Sequence, residues 1–156
     1  MTRIALVVSE YHAFITSGLE AGARSALAEA GIADDAIESF AVPGAYELAQ
    51  AAQRIAEEGR FTAIVCLGCL IRGETPHFDY IAQAAAQGIL QAAQRTGVPI
   101  AFGVLTTNTA DEAMARAGDG PQNKGVEAAR AAVAMARLYA RLGPVRTGHA
   151  SPAGRP

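Results

Sequence analysis

Short apolar runs alternate with amphipathic helical segments along this chain, and this alternation constrains the fold more than any other feature. The apolar runs have the length of β-strands and occupy residues 4–8, 37–42, 62–67 and 98–105. Helical periodicity is predicted at residues 16–30, 46–58, 78–95, 111–117 and 125–142. Nearly continuous apolar strands are typical of a sheet that is covered on both faces, and strand–helix repeats build right-handed βαβ units. We therefore predict an α/β three-layer sandwich, with a four-stranded parallel, flavodoxin-like sheet flanked by helices on both faces.

The length and composition of the chain indicate a single domain. Its 156 residues are 51% hydrophobic and 18% charged, which is enough apolar material for a core and argues against disorder. We find no internal repeat and no linker, so residues 1–142 are predicted to form one domain. Residues 143–156 read GPVRTGHASPAGRP, and this Gly- and Pro-rich stretch predicts a flexible C-terminal tail.

Charge and hydropathy exclude several classes of partner. The formal net charge is -2, so no basic excess is available for a nucleic-acid backbone. No apolar run approaches the roughly 20 residues needed to cross a bilayer, and the start MTRIALVVSEYHAF lacks the features of a signal peptide. Two cysteines, Cys66 and Cys69, are too few for a disulfide framework. We therefore expect a cytoplasmic protein that binds neither nucleic acid nor membrane.

The polar and titratable residues gather after the predicted strands, at the edge of the sheet where ligands of α/β folds bind. The loop after the third strand is the richest, because Arg72, Glu74 and Thr75 precede a helix whose backbone N–H groups could receive an anion. His77 follows and can exchange a proton near neutral pH. A plainer interpretation is that this loop only caps the helix, with Thr75 and Asp79 as the capping residues.

Other candidate residues also have two interpretations. Glu47 could bind a ligand or could only stabilise the dipole of the helix in whose first turn it lies. Phe102 could stack on a planar ligand or belong to the core. Lys124 could open the last helix or contact an anion, and Arg116 alone indicates a solvated charge. The C-x-x-C pattern at Cys66 favours packing over redox or zinc chemistry, because no second Cys or His pair follows. Ser17 and Glu20 suggest a capping box for the first helix.

Several motifs together make the chain similar to one family. The stretches FITSGL, VPGAYEL, LGCLIRGETPHFDY, GVLTTNT, the RAG around Arg116 and NKGVEAA occur in one order over residues 4–142. In this order and spacing they resemble the lumazine synthases (6,7-dimethyl-8-ribityllumazine synthases). The resemblance implies condensation of 5-amino-6-(D-ribitylamino)uracil with 3,4-dihydroxy-2-butanone 4-phosphate, the penultimate step of riboflavin biosynthesis. It implies no cofactor and no metal.

The resemblance also implies roles for individual residues. His77 matches the histidine of proton transfer, Glu74 and Thr75 match the turn that holds the phosphate-bearing substrate, and Arg116 matches the arginine that binds phosphate. The residues that match contacts to the pyrimidine and its ribityl chain are Tyr11 (ring stacking), Ala45, Tyr46 and Glu47 (ribityl chain), and Cys69, Leu70 and Ile71 (main-chain contacts to the pyrimidine).

In this family the site lies between neighbouring subunits, so the resemblance implies that Phe102, Arg116 and Lys124 come from the adjacent copy. At least a homopentamer is therefore expected, and a pentamer, a decamer and a shell of sixty copies all stay open. The chain departs from the common family pattern Arg-Phe-Asn, because it has Glu10, Tyr11 and His12 at those positions. Tyr11 keeps the aromatic face, while His12 adds a second titratable group.

Three other functions compete with this interpretation. A non-catalytic binder of flavin or lumazine on the same fold would not need the proton shuttle that His77 offers. A dinucleotide-binding or flavodoxin-like protein is disfavoured, because the first loop SEYHAF is not a phosphate loop and no G-x-G-x-x-G follows a strand. A sugar-phosphate isomerase would use His77 and Glu47 on a single phosphorylated sugar.

Overall fold

The computed structural model describes residues 2–145, and its core is one parallel β-sheet. The strands are β1 (Ile4–Ser9), β2 (Ile37–Val42), β3 (Ala63–Ile71) and β4 (Ile100–Thr107). They form a 4-stranded sheet in the order β2-β1-β3-β4, and every neighbouring pair is parallel. After β2 the chain crosses to the other side of β1, where β3 and then β4 are added. The predicted parallel sheet is confirmed.

The helices follow the strands as the alternation predicts. They are α1 (Ala13–Glu29), α2 (Leu48–Glu57), α3 (His77–Thr96), α4 (Ala110–Ala115) and α5 (Lys124–Leu142). Single 3-10 turns at Asp34–Ala36 and Ala45–Glu47 precede β2 and α2. The second predicted helix therefore begins as a 3-10 turn, and Glu47 lies at the junction with α2.

Two separate hydrophobic clusters cover the two faces of the sheet. Side chains alternate along a strand, so Leu6 and Val65 pack with α1 and α5, while Val7 and Ile64 pack with α2 and α3 on the opposite face. All four of these side chains are fully buried. The three-layer α/β sandwich predicted from the sequence is thereby confirmed.

Asn123 joins the start of α5 to α1 and to the loop before it. Its side-chain oxygen accepts hydrogen bonds from the backbone N of Gly125 (2.8 Å) and Val126 (3.2 Å), as expected of a helix N-cap. Its amide nitrogen donates to the carbonyl oxygens of Gly18 (3.1 Å) and Gly118 (2.9 Å). A Cβ on Gly125 would collide with the carbonyl oxygen of Leu19, so α5 can approach α1 only with glycine there.

Two local predictions were wrong. The third strand was expected to end at Leu67, but β3 runs to Ile71 because β4 continues to pair with it as far as Thr107. The capping box at Ser17 is absent because α1 begins three residues before the predicted start, and the Ser17 hydroxyl donates to the carbonyl oxygen of Ala13 inside the helix. The residue before α1 is His12, whose backbone is left-handed, with φ 59°.

Between residues 2 and 145, no helix combines the length and the apolar character needed to cross a membrane. The chain leaves α5 at Gly143, and Val145 is exposed. The rest of the predicted tail, from residue 146 to residue 156, lies outside the described residues.

Candidate active site

The predicted site residues lie at the carboxyl edge of the sheet, but they divide between two hollows. The first, which we call the aromatic hollow, has a volume of about 490 Å³. It is lined by Tyr11, His12, Gly44, Ala45, Tyr46, Glu47, Leu70, Ile71, Gly73, Thr75, His77, Phe78 and Ile81. The second, the charged hollow, has a volume of about 550 Å³. It is lined by Phe102, Val104, Leu105, Thr106, Thr107, Glu112, Arg116, Gln122, Lys124 and Glu127.

His77 is the first residue of α3 and faces the aromatic hollow from its start. Its backbone N lies 3.5 Å from the hydroxyl oxygen of Thr75, a long hydrogen bond within the turn. Pro76 is the N-cap and makes no side-chain cap hydrogen bond. Of the two residues in the plainer interpretation, Thr75 contacts a backbone N of the helix start, while the carboxylate of Asp79 is bound by Arg72. The imidazole is exposed and therefore accessible to a substrate in the hollow.

Two aromatic side chains of the first loop, those of Tyr11 and His12, also line this hollow and contact each other. The ring centroids of Tyr11 and His12 are 4.5 Å apart with an interplanar angle of 63°, an edge-to-face arrangement. The left-handed backbone of His12 turns the chain from β1 into α1, and its carbonyl oxygen accepts from the backbone N of Ile15 and Thr16. Tyr11 is 68% exposed, so a large aromatic face is open to a planar ligand.

Main-chain groups and the second loop complete the aromatic hollow. Glu47 lies in the 3-10 turn after β2, where its backbone N donates to the carbonyl oxygen of Gly44. Ala45, the first residue of this turn, is buried, while Tyr46 is 59% exposed. Leu70 and Ile71 form the end of β3 and line the same hollow.

Two of the predicted residues do not line either hollow. Glu74 is exposed in the loop between β3 and α3. The side chain of Cys69 points into the core between the sheet and α1, where burial raises the pKa of its thiol to about 11. Burial also raises the pKa of Cys66 to about 12, and this thiol lies in the cluster on the other face of the sheet. The two thiols lie on opposite faces of the sheet and do not form a redox pair. This agrees with the sequence analysis, which favoured packing.

The charged hollow brings two cations and two carboxylates together. Lys124 begins α5, and its Nζ lies 3.3 Å from an Oε1 of Glu127. Its backbone N donates to the carbonyl oxygen of Arg116 (2.8 Å), which joins the two cationic residues. One guanidinium nitrogen of Arg116 donates to the carbonyl oxygen of Glu112 (2.9 Å). An anion fits this arrangement, because both cations keep donors that these contacts do not use.

Sequence reasoning missed Glu112, Gln122 and Glu127 as lining residues. Glu127 could have been found, because residues three apart on a helix share a face, and Lys124 was already a candidate. Glu112 carries the same signal, because it lies four residues before Arg116 on a predicted helix. Gln122 carries none, because it lies in the loop between Arg116 and Lys124.

The structure corrects the interpretation of Arg72 as the cation of an anion site. Arg72 lines neither hollow. Its guanidinium contacts both carboxylate oxygens of Asp79 at 3.2 and 3.4 Å, and its Nε donates to the side-chain oxygen of Asn108 at 3.1 Å. The guanidinium is therefore already bound by other side chains of the protein, although it is about half exposed.

Metal chemistry was not expected from the sequence. Among the residues that the structure describes, no three His, Cys, Asp or Glu side chains are grouped as ligands of a metal ion would be. That the protein works without a metal remains a prediction.

Comparison with known proteins identifies the family to which this arrangement belongs. Residues 1–140 match the family model described as 6,7-dimethyl-8-ribityllumazine synthase. A protein of that name from Chlorobium phaeovibrioides is 48% identical over 137 residues, which cover 88% of this chain and 88% of that protein. The match spans both hollows and every strand and helix up to most of α5. The chain belongs to the 6,7-dimethyl-8-ribityllumazine synthase family.

Proposed function

We propose that this protein condenses 5-amino-6-(D-ribitylamino)uracil with 3,4-dihydroxy-2-butanone 4-phosphate to form 6,7-dimethyl-8-ribityllumazine. This is the penultimate step of riboflavin biosynthesis, and the enzyme is a transferase. The observation that carries the proposal is the aromatic hollow of a member of this family, which is lined both by His77 and by Tyr11 with its exposed ring. A planar pyrimidine and a proton-transfer group would meet there.

The chemistry needs positioning and proton transfer more than a strong nucleophile. The amine of the pyrimidine attacks the ketone, and water leaves as the imine forms. Inorganic phosphate is then eliminated, and the second amine closes the ring on the remaining carbonyl with loss of a second water. His77 would move protons during these steps, which is a role suited to an imidazole near neutral pH. Tyr11 would stack on the pyrimidine, and the main chain of Leu70 and Ile71 would contact its edge.

The remaining assignments follow the resemblance to the family, and most of the residues concerned line one of the two hollows. The turn from Ala45 to Glu47 would bind the ribityl chain, and the main chain of Cys69 would contribute to pyrimidine binding although its side chain is buried. The turn at Glu74 and Thr75 would hold the phosphate-bearing substrate together with Arg116. Lys124 and Phe102 would complete that end of the site.

We further propose that one active site is built from the aromatic hollow of one copy and the charged hollow of its neighbour. The two hollows share no lining residue, so one chain does not bring His77 and Arg116 into one cavity. A second observation supports contact between copies: residues 80–94 of α3 include no charged residue, yet Tyr80 and Leu90 are 71% and 58% exposed. An uncharged helix face with large apolar side chains is typical of a subunit interface.

The assembly that follows from this proposal is at least a homopentamer. Each copy would contact two neighbours, and each aromatic hollow would face the charged hollow of one of them. A ring of this kind uses heterologous contacts that close, which is one of the common forms of oligomer symmetry. A decamer and a sixty-subunit shell built from such rings agree equally with the observations. We place the protein in the cytoplasm, where its small-molecule substrates would be available.

The direct test mixes the purified protein with both substrates and records lumazine absorbance together with released phosphate. Product and phosphate that appear in step, well above the uncatalysed rate, would support the synthase. If the folded protein gave no acceleration and retained flavin tightly during purification, a non-catalytic binder would replace this proposal.

The shared site is tested by mixing two impaired variants and assaying them at a butanone phosphate concentration well below its KM, where each variant alone should keep about a tenth of the wild-type activity or less. His77→Ala damages only the aromatic hollow and Arg116→Ala only the charged hollow, so a mixed ring contains some sites with both halves intact. After unfolding and co-refolding at equal amounts, random neighbours in a ring should restore about a quarter of the wild-type activity. Each variant refolded alone is the control. A mixture no more active than the variants alone would mean that both halves come from one copy.

A further inference from the structure

Arg72 occupies a central place between the two hollows without lining either of them. Its backbone N donates to the carbonyl oxygen of Thr107 at the end of β4 (2.8 Å). Its guanidinium is bound to Asp79 in the first turn of α3 and to the side chain of Asn108 just after β4. The guanidinium carbon also lies 4.6 Å from the ring centroid of Phe78. Arg72 thus joins the end of β3 to α3 and to the end of β4.

The contacts continue from Asn108 towards the charged hollow. The backbone N of Asn108 donates to a carboxylate oxygen of Glu112 (2.9 Å). The carbonyl oxygen of Glu112 in turn accepts from Arg116 (2.9 Å), and its backbone N donates to the hydroxyl of Thr109, the N-cap of α4. An unbroken set of hydrogen bonds therefore runs from the turn that holds His77 to the guanidinium of Arg116.

We propose that Arg72 is a positioning residue, which holds the first turn of α3 and thereby the imidazole of His77 at its working place. The proposal rests on the proposed function for its kinetic part. Among residues 2–145, the imidazole of His77 has no hydrogen-bond or ion-pair partner, and the Thr75 hydroxyl contacts its backbone N at 3.5 Å. Asp79 and Phe78 follow it directly, so fixing these two residues fixes the backbone from which the imidazole projects.

The planar fork of arginine is essential to this role. One guanidinium contacts two oxygens of Asp79, one oxygen of Asn108 and the face of Phe78 at the same time. A lysine ammonium carries the same charge but lacks the fixed fork and the flat face. Arg72→Lys therefore keeps the charge near the site and removes the geometry.

Steady-state kinetics distinguish a positioning role of Arg72 from a phosphate-binding role. If Arg72 were a phosphate ligand, its loss would chiefly raise the KM for the butanone phosphate. As a positioning residue, it should chiefly lower kcat, because a displaced His77 slows proton transfer without emptying the anion site. We expect Arg72→Lys to lower kcat about tenfold and to change the KM of the phosphate substrate less than about twofold.

A matched control exists at the opposite edge of the sheet. Arg60 contacts Glu38 and Glu58 at 3.1 and 3.0 Å, and its guanidinium carbon lies 4.7 Å from the ring centroid of Phe61. Its side chain is 45% exposed and that of Arg72 is 46% exposed. Arg60→Lys thus makes the same chemical change in the same kind of contact set, far from the hollows, and should leave kcat unchanged.

Hydrogen–deuterium exchange provides a readout that does not depend on activity. In Arg72→Lys, exchange should become faster at residues 72–80 and 106–112, while Arg60→Lys should leave both segments unchanged. Asp79→Asn, which removes one partner and keeps its size, should act in the same direction and covers the case in which Arg72→Lys fails to fold. Unchanged exchange and kcat in these variants, or a raised KM for the phosphate substrate at unchanged kcat, would overturn the proposal. A wild-type protein without activity would reject the proposed function and leave the exchange test standing.

Discussion

The aromatic hollow and the charged hollow lie on the same edge of one sheet, but they differ in chemistry. The aromatic hollow offers the exposed rings of Tyr11 and Tyr46 and the imidazoles of His12 and His77, with Glu47 as its lining carboxylate. The charged hollow offers Arg116 and Lys124 beside two carboxylates and only one aromatic ring. Neither holds both a proton-transfer group and a pair of cations. The shared site that we propose would combine both by bringing two copies of the chain together.

The two hollows also differ in how the fold positions them. The aromatic hollow is built from short loops that follow β1, β2 and β3, so the strands themselves place its residues. The charged hollow depends on helix starts beyond β4, where Thr109 caps α4 and Asn123 caps α5. The charged side chains of the second hollow are thus placed by capped helix starts, while its apolar and hydroxyl lining belongs to β4.

Removing the imidazole from the aromatic hollow should give the largest effect. His77→Ala is expected to lower kcat roughly 10- to 100-fold while both substrates still bind, because proton transfer is lost and the cavity is kept. Steady-state kinetics for each substrate would measure this, and His149→Ala, in the segment outside the described residues, is the histidine control. Unchanged turnover would remove His77 from its proposed role.

Removing one cation from the charged hollow should affect a different constant. Arg116→Ala is expected to raise the KM for the butanone phosphate about tenfold, as for a lost charge-assisted hydrogen bond, and to leave the KM for the pyrimidine nearly constant. Arg130→Ala, which removes a surface arginine of α5 paired with Glu29, is the control. An effect on pyrimidine affinity alone would reverse the assignment of the two hollows.

The smallest effect is expected at the ring of Tyr11. Tyr11→Ala should raise the KM for the pyrimidine about threefold to tenfold, since aromatic stacking contributes roughly 0.5–1.5 kcal/mol beyond burial. Tyr11→Phe keeps the ring and should behave like the wild type. If both variants lost affinity equally, the phenolic hydroxyl rather than the aromatic face would contact the substrate.

The strands and helices were predictable because their signals are local. Apolar runs and helical periodicity repeat within a few residues, and β1, α3 and α5 accordingly lie close to where the sequence indicates. The end of β3 was not predictable, because it depends on pairing with β4 rather than on its own residues. The start of α1 was missed for a similar reason, since the left-handed turn at His12 has no strong signal in sequence.

The candidate site was predicted in part. The carboxyl edge of the sheet gathered His77 and Glu47 by topology alone, and both line the aromatic hollow. The contacts of Arg72 could not be predicted from the residues next to it, because its partner Asn108 lies 36 positions further along the chain. The separation of Arg116 and Lys124 from His77 came from the family resemblance, as composition and spacing do not indicate which copy supplies a residue.

The Asn123 cap has a consequence for protein engineering. A library that varies the loop from Arg116 to Lys124, in order to accept a different anion, would naturally include the positions between them. Asn123 supports both helices that meet there, and a Cβ on Gly22 would collide with its side chain. Randomising Asn123, Gly22 or Gly125 would thus fill the library with misfolded members, whereas Gln122 and Pro121 are free of these constraints. The ligand preference of this loop can be redesigned only if Asn123 and the two glycines packed around it are kept.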